Sequence, residues 1–121
     1  MQFIDNSDKI KSLLEEALFN GLTRAANIIE TETKANGGKA AKSWKANVSR
    51  ETMTATIDNP DQKNAIIDEF GKGEYATGEK GSIAPVRPLE RALIGKRNQI
   101  EKAVADEIKN SLGWYYGYFV L

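Results

Sequence analysis

The sequence predicts an α+β domain in which two long helices pack on a small antiparallel β-sheet, with a long glycine-rich loop. Two stripes of apolar residues at helical spacing predict the helices. Between these stripes lie two segments of alternating apolar and polar residues, the pattern of strands that bury one face. A chain of 121 residues with 40% hydrophobic content has the length and composition of one soluble globular domain. We therefore expect residues 1–121 to form a single domain.

The first helix is predicted from about residue 7 to residue 34. Good N-cap residues precede it, and Gly37 and Gly38 end it. Gly21 lies inside it at a cost of about 1 kcal/mol relative to Ala, which points to a close helix contact or a bend. The apolar stripe consists of Ile10, Leu13, Leu14, Ala17, Leu18, Leu22, Ala25, Ile28 and Ile29.

A β-hairpin with one buried face is predicted next. Its apolar positions are Trp44, Ala46 and Val48 before the turn and Met53, Ala55 and Ile57 after it. Trp44 shares the apolar face, so we expect it in the core. Residues 58–61 have the composition of a turn. The short segment 65–67 is compatible with a strand or with one helical turn.

The last helix is predicted to begin at Pro88, whose missing N–H is no loss at the first helical position. Gly113 fits the cap at its carboxyl end. The apolar positions are Leu89, Ala92, Leu93, Ile100, Ala103, Val104, Ile108 and Leu112.

The carboxyl-terminal segment, residues 114–121, holds five of the chain's ten aromatic residues. As a strand it would carry apolar side chains on both faces, and both faces would need cover. At about 25 cal/mol per Å² and roughly 150–250 Å² per aromatic, the gross incentive to bury them is on the order of 20 kcal/mol. The segment therefore either completes the sheet of its own subunit or binds a partner, with Trp114, Tyr116, Tyr118 and Phe119 as candidate contacts.

The composition removes much of enzyme chemistry. The chain has no Cys and no His, which excludes disulfides, thiolate metal sites and the commonest general base. Adjacent carboxylates such as Asp68 and Glu69 diverge along a helix or strand and are interpreted as surface charges. The interval from Gly73 to Gly78 suits a phosphate-binding loop, but Glu79 stands where Lys is needed. We expect no catalytic residue, no cofactor and no metal, and predict that the protein is not an enzyme.

No targeting or membrane segment is predicted. No apolar run approaches the roughly 20 residues of a membrane span. The first residues contain no basic stretch followed by an apolar one, so synthesis and action in a cytoplasm is the expectation.

Positive charge is concentrated in residues 34–50, although 17 basic residues balance 17 acidic ones overall. This interval contains basic residues and no acidic one. A candidate basic face consists of Lys39, Lys42, Lys45 and Arg50. Such a face could bind nucleic acid, with Trp44 stacking on a base, but a solvated face with Trp44 turned inward is the interpretation we favour.

The segment from Asp68 to Gly73 and the loop after it are the most informative part of the chain. Loop 71–84 contains four glycines and is too polar to supply a core. Loops of this length within a domain are usually functional or disordered. Phe70 and Gly71 could also simply end an element, with Phe70 buried and Gly71 in a turn.

The order of these parts resembles the tail-completion, or head-tail joining, proteins of long-tailed bacteriophages. The resemblance extends over about residues 8 to 112. Its best-matching residues are Ala65, Glu69, Phe70, Gly71 and Gly73 in the Glu-Phe-Gly-Lys-Gly box, and Pro85, Pro88, Leu89 and Ala92 at the start of the last helix.

The resemblance implies a virion protein that completes the tail and joins it to the head connector through ring-type contacts. Its expected partners are other copies of itself, in a ring that could be six-fold, the tail tube or terminator protein, and the head connector. The loop would become ordered on docking, and Glu69 would pair with a basic residue of a neighbouring subunit. Candidate contacts are Glu69, Phe70, Gly71, Lys72, Gly73 and Tyr75. A tail terminator or head-closure protein is the alternative within this class, and a small nucleic-acid-binding module is the alternative outside it.

Overall fold

The computed structural model describes residues 7 to 119, with side chains described for residues 7 to 111. Its elements are α1 (Ser7–Ala35), β1 (Lys45–Ser49), β2 (Thr54–Asp58), α2 (Gln62–Phe70), α3 (Pro88–Gly95) and α4 (Arg97–Phe119). Short 3-10 turns at Ala41–Ser43 and Tyr75–Thr77 lie in the connections. Helices combined with a two-stranded antiparallel sheet confirm the predicted α+β class.

Helix α1 confirms the predicted first helix. It ends where Gly37 and Gly38 adopt φ of 87° and 105°, a region that glycine enters without the steric cost of a side chain. The fully covered positions of α1 are small residues, so neighbouring elements can approach its backbone closely. They are Ala17, Gly21, Ala25, Ala26 and Thr33.

Helix α4 lies along α1 in the antiparallel sense. Arg24 pairs with Glu107 at 3.2 Å, and Glu32, later in α1, pairs at 3.8 Å with Lys96, just before the start of α4, so the two helices run in opposite directions. A Cβ atom added at Gly21 would lie 3.0 Å from the Cα atom of Val104. Gly21 therefore marks a close helix contact, one of the two explanations that the sequence allowed.

The hairpin packs on another side of α1. Strands β1 and β2 pair in register from Lys45 opposite Asp58 to Ser49 opposite Thr54, as the alternation predicts. The Glu30 carboxylate on α1 accepts a hydrogen bond from the Ala46 backbone N–H at 3.1 Å. Trp44 is buried, as expected, against Ala40, Ala65, Ile57 and Leu89.

Segment 65–67 belongs to a helix, which resolves the ambiguity left by the sequence. Ahead of α2, the Asn59 side chain accepts a hydrogen bond from the Asp61 N–H at 2.9 Å and donates to the Ala40 carbonyl at 3.0 Å. Asn59 is buried, so both of these bonds replace water. The turn is thereby held against the segment that follows α1, and α2 starts from it.

The prediction of one continuous last helix is wrong. Pro88 opens α3 as expected, but the helix ends at Gly95, and Lys96 adopts φ −106° and ψ 6° before α4 begins. The short α3 contacts α2, α1 and α4. Gly95, the last residue of α3, is a poor helix former and favours a break at this point.

The predicted end at Gly113 and the predicted strand after it are also wrong. Helix α4 continues through Gly113 to Phe119, so residues 114–119 are helical and add no strand to the sheet. A segment that is apolar on every face suits a helix as well as a strand. The side chains of Trp114, Tyr116, Tyr118 and Phe119, and residues 120–121 altogether, lie outside the described part of the chain.

Between residues 7 and 119, no helix combines the length and the apolar character that a membrane crossing requires.

Candidate docking site

Asp68, near the end of α2, is the best-connected polar residue of this region. Its side chain is 4% exposed. The carboxylate oxygens accept hydrogen bonds from the backbone N–H groups of Lys39 at 3.0 Å and Ala40 at 2.8 Å. The expectation that Asp68 is a surface charge is therefore wrong, because the residue anchors the segment that follows α1.

The Asp68 backbone also ties the box to the Pro-x-x-Pro step. Its carbonyl oxygen accepts hydrogen bonds from the N–H groups of Val86 and Arg87, both at 2.8 Å. One residue of α2 thus holds two segments that lie far from it in the sequence. Nothing in the pattern of charges signalled this role, because the sequence does not show which carboxylate is buried.

Glu69 completes the connection by capping α3. Its carboxylate accepts a hydrogen bond from the Leu89 backbone N–H, in the first turn of that helix. The N-cap residue of α3 is Arg87, whose side chain has no acceptor atom, so an acceptor from another helix takes its place. A carboxylate is favoured there because the helix dipole places positive charge at this end. The first structural role of Glu69 is therefore inside its own subunit.

Gly71 ends α2, and its φ of 77° and its surroundings both require glycine. A Cβ atom there would lie 2.6 Å from the Ile83 carbonyl oxygen. Directly after it, Lys72 and Ile83 form a two-way backbone bridge with both N–H···O distances at 2.8 Å. The loop therefore leaves and returns at one point.

Inside the loop, the Glu79 carboxylate accepts a hydrogen bond from the Glu74 N–H at 2.7 Å. Tyr75 lies in the short 3-10 turn and is 41% exposed. Gly73, with φ 65°, stands close to Glu79 and Ser82. Lys72, Gly73 and Tyr75 thus lie on the loop, apart from the surface that Phe70 occupies.

Helices α2 and α3 together expose apolar side chains. Phe70 is 75% exposed and Ile94 is 70% exposed, which contradicts the alternative in which Phe70 is buried. Beside them, Ile66 is 58% and Leu93 is 45% exposed. An open groove of about 600 Å³, called here the α2–α3 groove, is lined by Glu69, Phe70, Arg87, Leu89, Glu90, Leu93 and Ile94.

Sequence reasoning selected two of the seven residues that line this groove as candidate contacts. It selected Glu69 and Phe70, but not Leu93 or Ile94. Ile94 was detectable in principle, because it is a large apolar residue that lies off the stripe of the predicted last helix. Apolar side chains grouped at one groove of a soluble protein make that groove a candidate binding site.

A second exposed apolar surface lies near the beginning of α1 and is called here the α1 start face. Leu14 and Leu18 are 38% and 37% exposed on it. A shallow groove of about 420 Å³ is lined by Ser7, Ile10, Lys11, Leu14, Glu15 and Leu18.

The candidate basic face is less uniform than its sequence suggests. Lys39, Lys42 and Lys45 are exposed. Arg50 is not available in the same way, because its guanidinium is 2.5 Å from the Glu16 carboxylate and lies 3.9 Å from the centre of the Phe19 ring. The hydrogen bond and the charge of Arg50 hold the pKa of Glu16 below its usual range.

Within the part of the chain that the structure describes, no group of three or more acidic, His or Cys side chains could hold a metal ion. No protein-family model, curated protein or solved structure matches the chain.

Proposed function

We propose that this chain is a structural protein of a long-tailed phage or prophage virion that completes the tail and joins it to the head connector. It would act by protein contacts and not by catalysis. The sequence resemblance is the source of this proposal, and the arrangement of the resembling residues supports it.

The carrying observation is that the two resembling segments form one unit with an exposed apolar surface. Asp68 and Glu69 bind the backbone of residues 86, 87 and 89, so the box and the Pro-x-x-Pro step hold each other. On the outside of this unit, Phe70 and Ile94 are more than two thirds exposed. A protein that worked alone would gain from polar residues at these positions, whereas an assembly protein needs such a surface.

Loop 71–84 is proposed as the second contact with the partner. Its base is held by the Lys72–Ile83 bridge, and residues 72–81 are exposed. Replacing residues 74–81 with Asn-Gly would keep the base of the loop and remove its tip, since Asn-Gly suits a tight hairpin turn. We expect the melting temperature to change little and the joining of heads to tails to fail; a collapse of the fold would contradict this role for the loop.

The test of the function is electron microscopy of particles produced after disruption of the gene. Filled heads beside separate tails of normal length would support joining. Tails of uncontrolled length would replace joining with the terminator alternative, and intact infectious particles would refute a required role in the neck.

Point variants connect the phenotype to the groove. Ile94→Asp should reproduce the defect of the disrupted gene, because a carboxylate in the centre of the α2–α3 groove would lose its hydration on docking. Asn98→Asp, on an exposed position four residues later in the chain, adds the same charge outside the groove and should assemble normally. Equal assembly by the two variants would remove the groove from the proposal.

The nucleic-acid alternative is favoured by Lys39, Lys42 and Lys45, which are exposed near one another in the sequence. DNA binding that weakens steeply with salt, and that is lost when these three are changed to Gln, would support it. A matched change of Lys9, Lys63 and Lys102 to Gln removes the same charge elsewhere and serves as the control.

A further inference from the structure

The two exposed apolar surfaces lie at opposite ends of α1. The α2–α3 groove is at the carboxyl end, because Asn36 donates from its side chain to the Pro88 carbonyl oxygen at 3.0 Å. The α1 start face is centred on Leu14. From Leu14 to Ala35 the helix advances about 32 Å at 1.5 Å per residue.

The α1 start face continues a stripe that is covered elsewhere. Three turns after Leu14, at Ala25, the same side of α1 is 4% exposed. Three turns after Leu18, at Ile29, the stripe is half-buried. The stripe therefore extends beyond the elements that cover it, among the residues whose side chains are described.

The charges at the two rims complement each other. At the groove, Arg87 and Glu90 are separated by 3.6 Å and are about half exposed, so their own pairing is weak. At the α1 start face, Lys11 and Glu15 are exposed one helical turn apart. Each surface thus offers an apolar centre with one cation and one anion beside it, since Glu69, the second carboxylate at the groove, already accepts the Leu89 N–H.

We propose that these surfaces bind each other between copies, with the α1 start face of one copy in the α2–α3 groove of the next. Lys11 would then face Glu90, and Glu15 would face Arg87. A contact between two different surfaces repeats from copy to copy and closes into a ring where the rotation between copies permits it, whereas a two-fold contact through the groove stops at a dimer and leaves the α1 start face uncovered. The choice of a second copy as the occupant rests on the ring function proposed above.

The absence of cysteine from the sequence makes a direct test straightforward. Leu14→Cys and Ile94→Cys are made separately, purified and mixed under oxidising conditions, so that every disulfide joins two introduced cysteines; each variant oxidised alone gives the yield of like pairs. In the matched control, Thr56→Cys replaces Leu14→Cys, because Thr56 is exposed on the outer face of the hairpin. Melting temperatures of the single variants show that each retains the fold.

We expect about tenfold more disulfide dimer in the Leu14→Cys with Ile94→Cys mixture than in the control mixture, because docking raises the effective concentration of the two thiols. The double variant should form a ladder that ends in one closed species. Ile94→Cys disulfides with itself at a comparable level would overturn the proposal in favour of a two-fold contact. A yield equal to that of the control would overturn it as well.

A thiol-reactivity measurement covers the remaining alternative. If residues 112–121 of the same chain cover Leu14, the thiol of the folded Leu14→Cys variant will react with a thiol reagent many times more slowly than the thiol of Thr56→Cys. In that case the proposal fails. Since these assays use purified protein, a negative result is separable from the outcome of particle microscopy. The neck function can stand without this contact, and the contact can exist without that function.

Discussion

Replacement of Asp68 by Ala should lower the free energy of unfolding more than the same replacement at an exposed carboxylate. The change removes an acceptor from two backbone N–H groups, those of Lys39 and Ala40. Leaving a buried donor without a partner costs about 1–3 kcal/mol, so the pair predicts a loss of about 2–6 kcal/mol. The carboxylate's own desolvation cost is relieved at the same time, which favours the lower half of this interval.

The assay is reversible denaturation by urea and by heat. For a domain of this length the entropy of unfolding is about 0.25 kcal/mol/K, so the melting temperature should fall by about 8–24 °C, with the lower half of this interval favoured. Asp58→Ala, the same substitution at an exposed position, should change the stability by no more than about 0.5 kcal/mol. Asp68→Asn should fall between them, because its amide keeps one acceptor but brings a donor toward two donors.

Hydrogen exchange locates the effect. The N–H groups of Lys39 and Ala40 should lose protection in Asp68→Ala beyond the loss that global destabilisation explains. A difference of less than about 1 kcal/mol between Asp68→Ala and Asp58→Ala would refute the reasoning, because the two buried bonds would then contribute no more than an exposed side chain.

Three further outcomes are expected. Gly38→Ala should be more destabilising than Gly37→Ala, because both have positive φ but only the Cβ at Gly38 would lie 2.5 Å from the buried carboxylate; equal melting temperatures would contradict the clash. Gly95→Ala should raise the melting temperature slightly, since nothing lies within 4 Å of its Cβ, whereas Gly21→Ala should lower it because α4 lies 3.0 Å away; a stabilised Gly21→Ala would show that the helices move apart freely. Two hydrogen bonds, one from the Lys34 ammonium and one from the Ala46 backbone N–H, hold the pKa of Glu30 below its ordinary 4.5. A carboxyl group whose pKa is lower in the folded than in the unfolded state stabilises the fold at pH values above its ordinary pKa. This stabilisation is lost as the pH falls through the lowered pKa, so Glu30→Gln should flatten the decline in melting temperature below about pH 4.5. Parallel curves of melting temperature against pH for Glu30→Gln and the unchanged protein would reject this.

The spacing of apolar residues was sufficient to predict those elements whose bounds do not depend on how another element packs against them. The stripe of α1 and the alternation of β1 and β2 predicted those elements correctly. The predicted buried face of the hairpin is incomplete, because Ala55 in β2 is exposed. The same reasoning failed after Pro88. The stripe of α3 runs into that of α4 without interruption, and the break at Lys96 depends on how α4 meets α1, which is a tertiary contact.

The candidate site could likewise be predicted only in part. The box and the Pro-x-x-Pro step stood out in the sequence through their glycines and prolines, which constrain the backbone locally. Their union through Asp68 and Glu69 could not be predicted, because adjacent carboxylates look alike until burial distinguishes them. The exposure of Phe70 was likewise open, since an aromatic at a helix end serves a core or an interface equally well.

At position 87, the stability of the fold and the proposed binding at the α2–α3 groove favour different residues. It occupies the left-handed region at φ 56° and ψ 52° directly before a proline, a conformation that costs an ordinary residue about 1–2 kcal/mol more than glycine. Selection for a robust fold alone would favour glycine there. A side chain that is retained against such a cost suggests a gain elsewhere, and its guanidinium stands at the rim of the α2–α3 groove. A library screened for thermal tolerance should therefore drift toward glycine at this position, and one screened for the proposed joining function should keep the arginine.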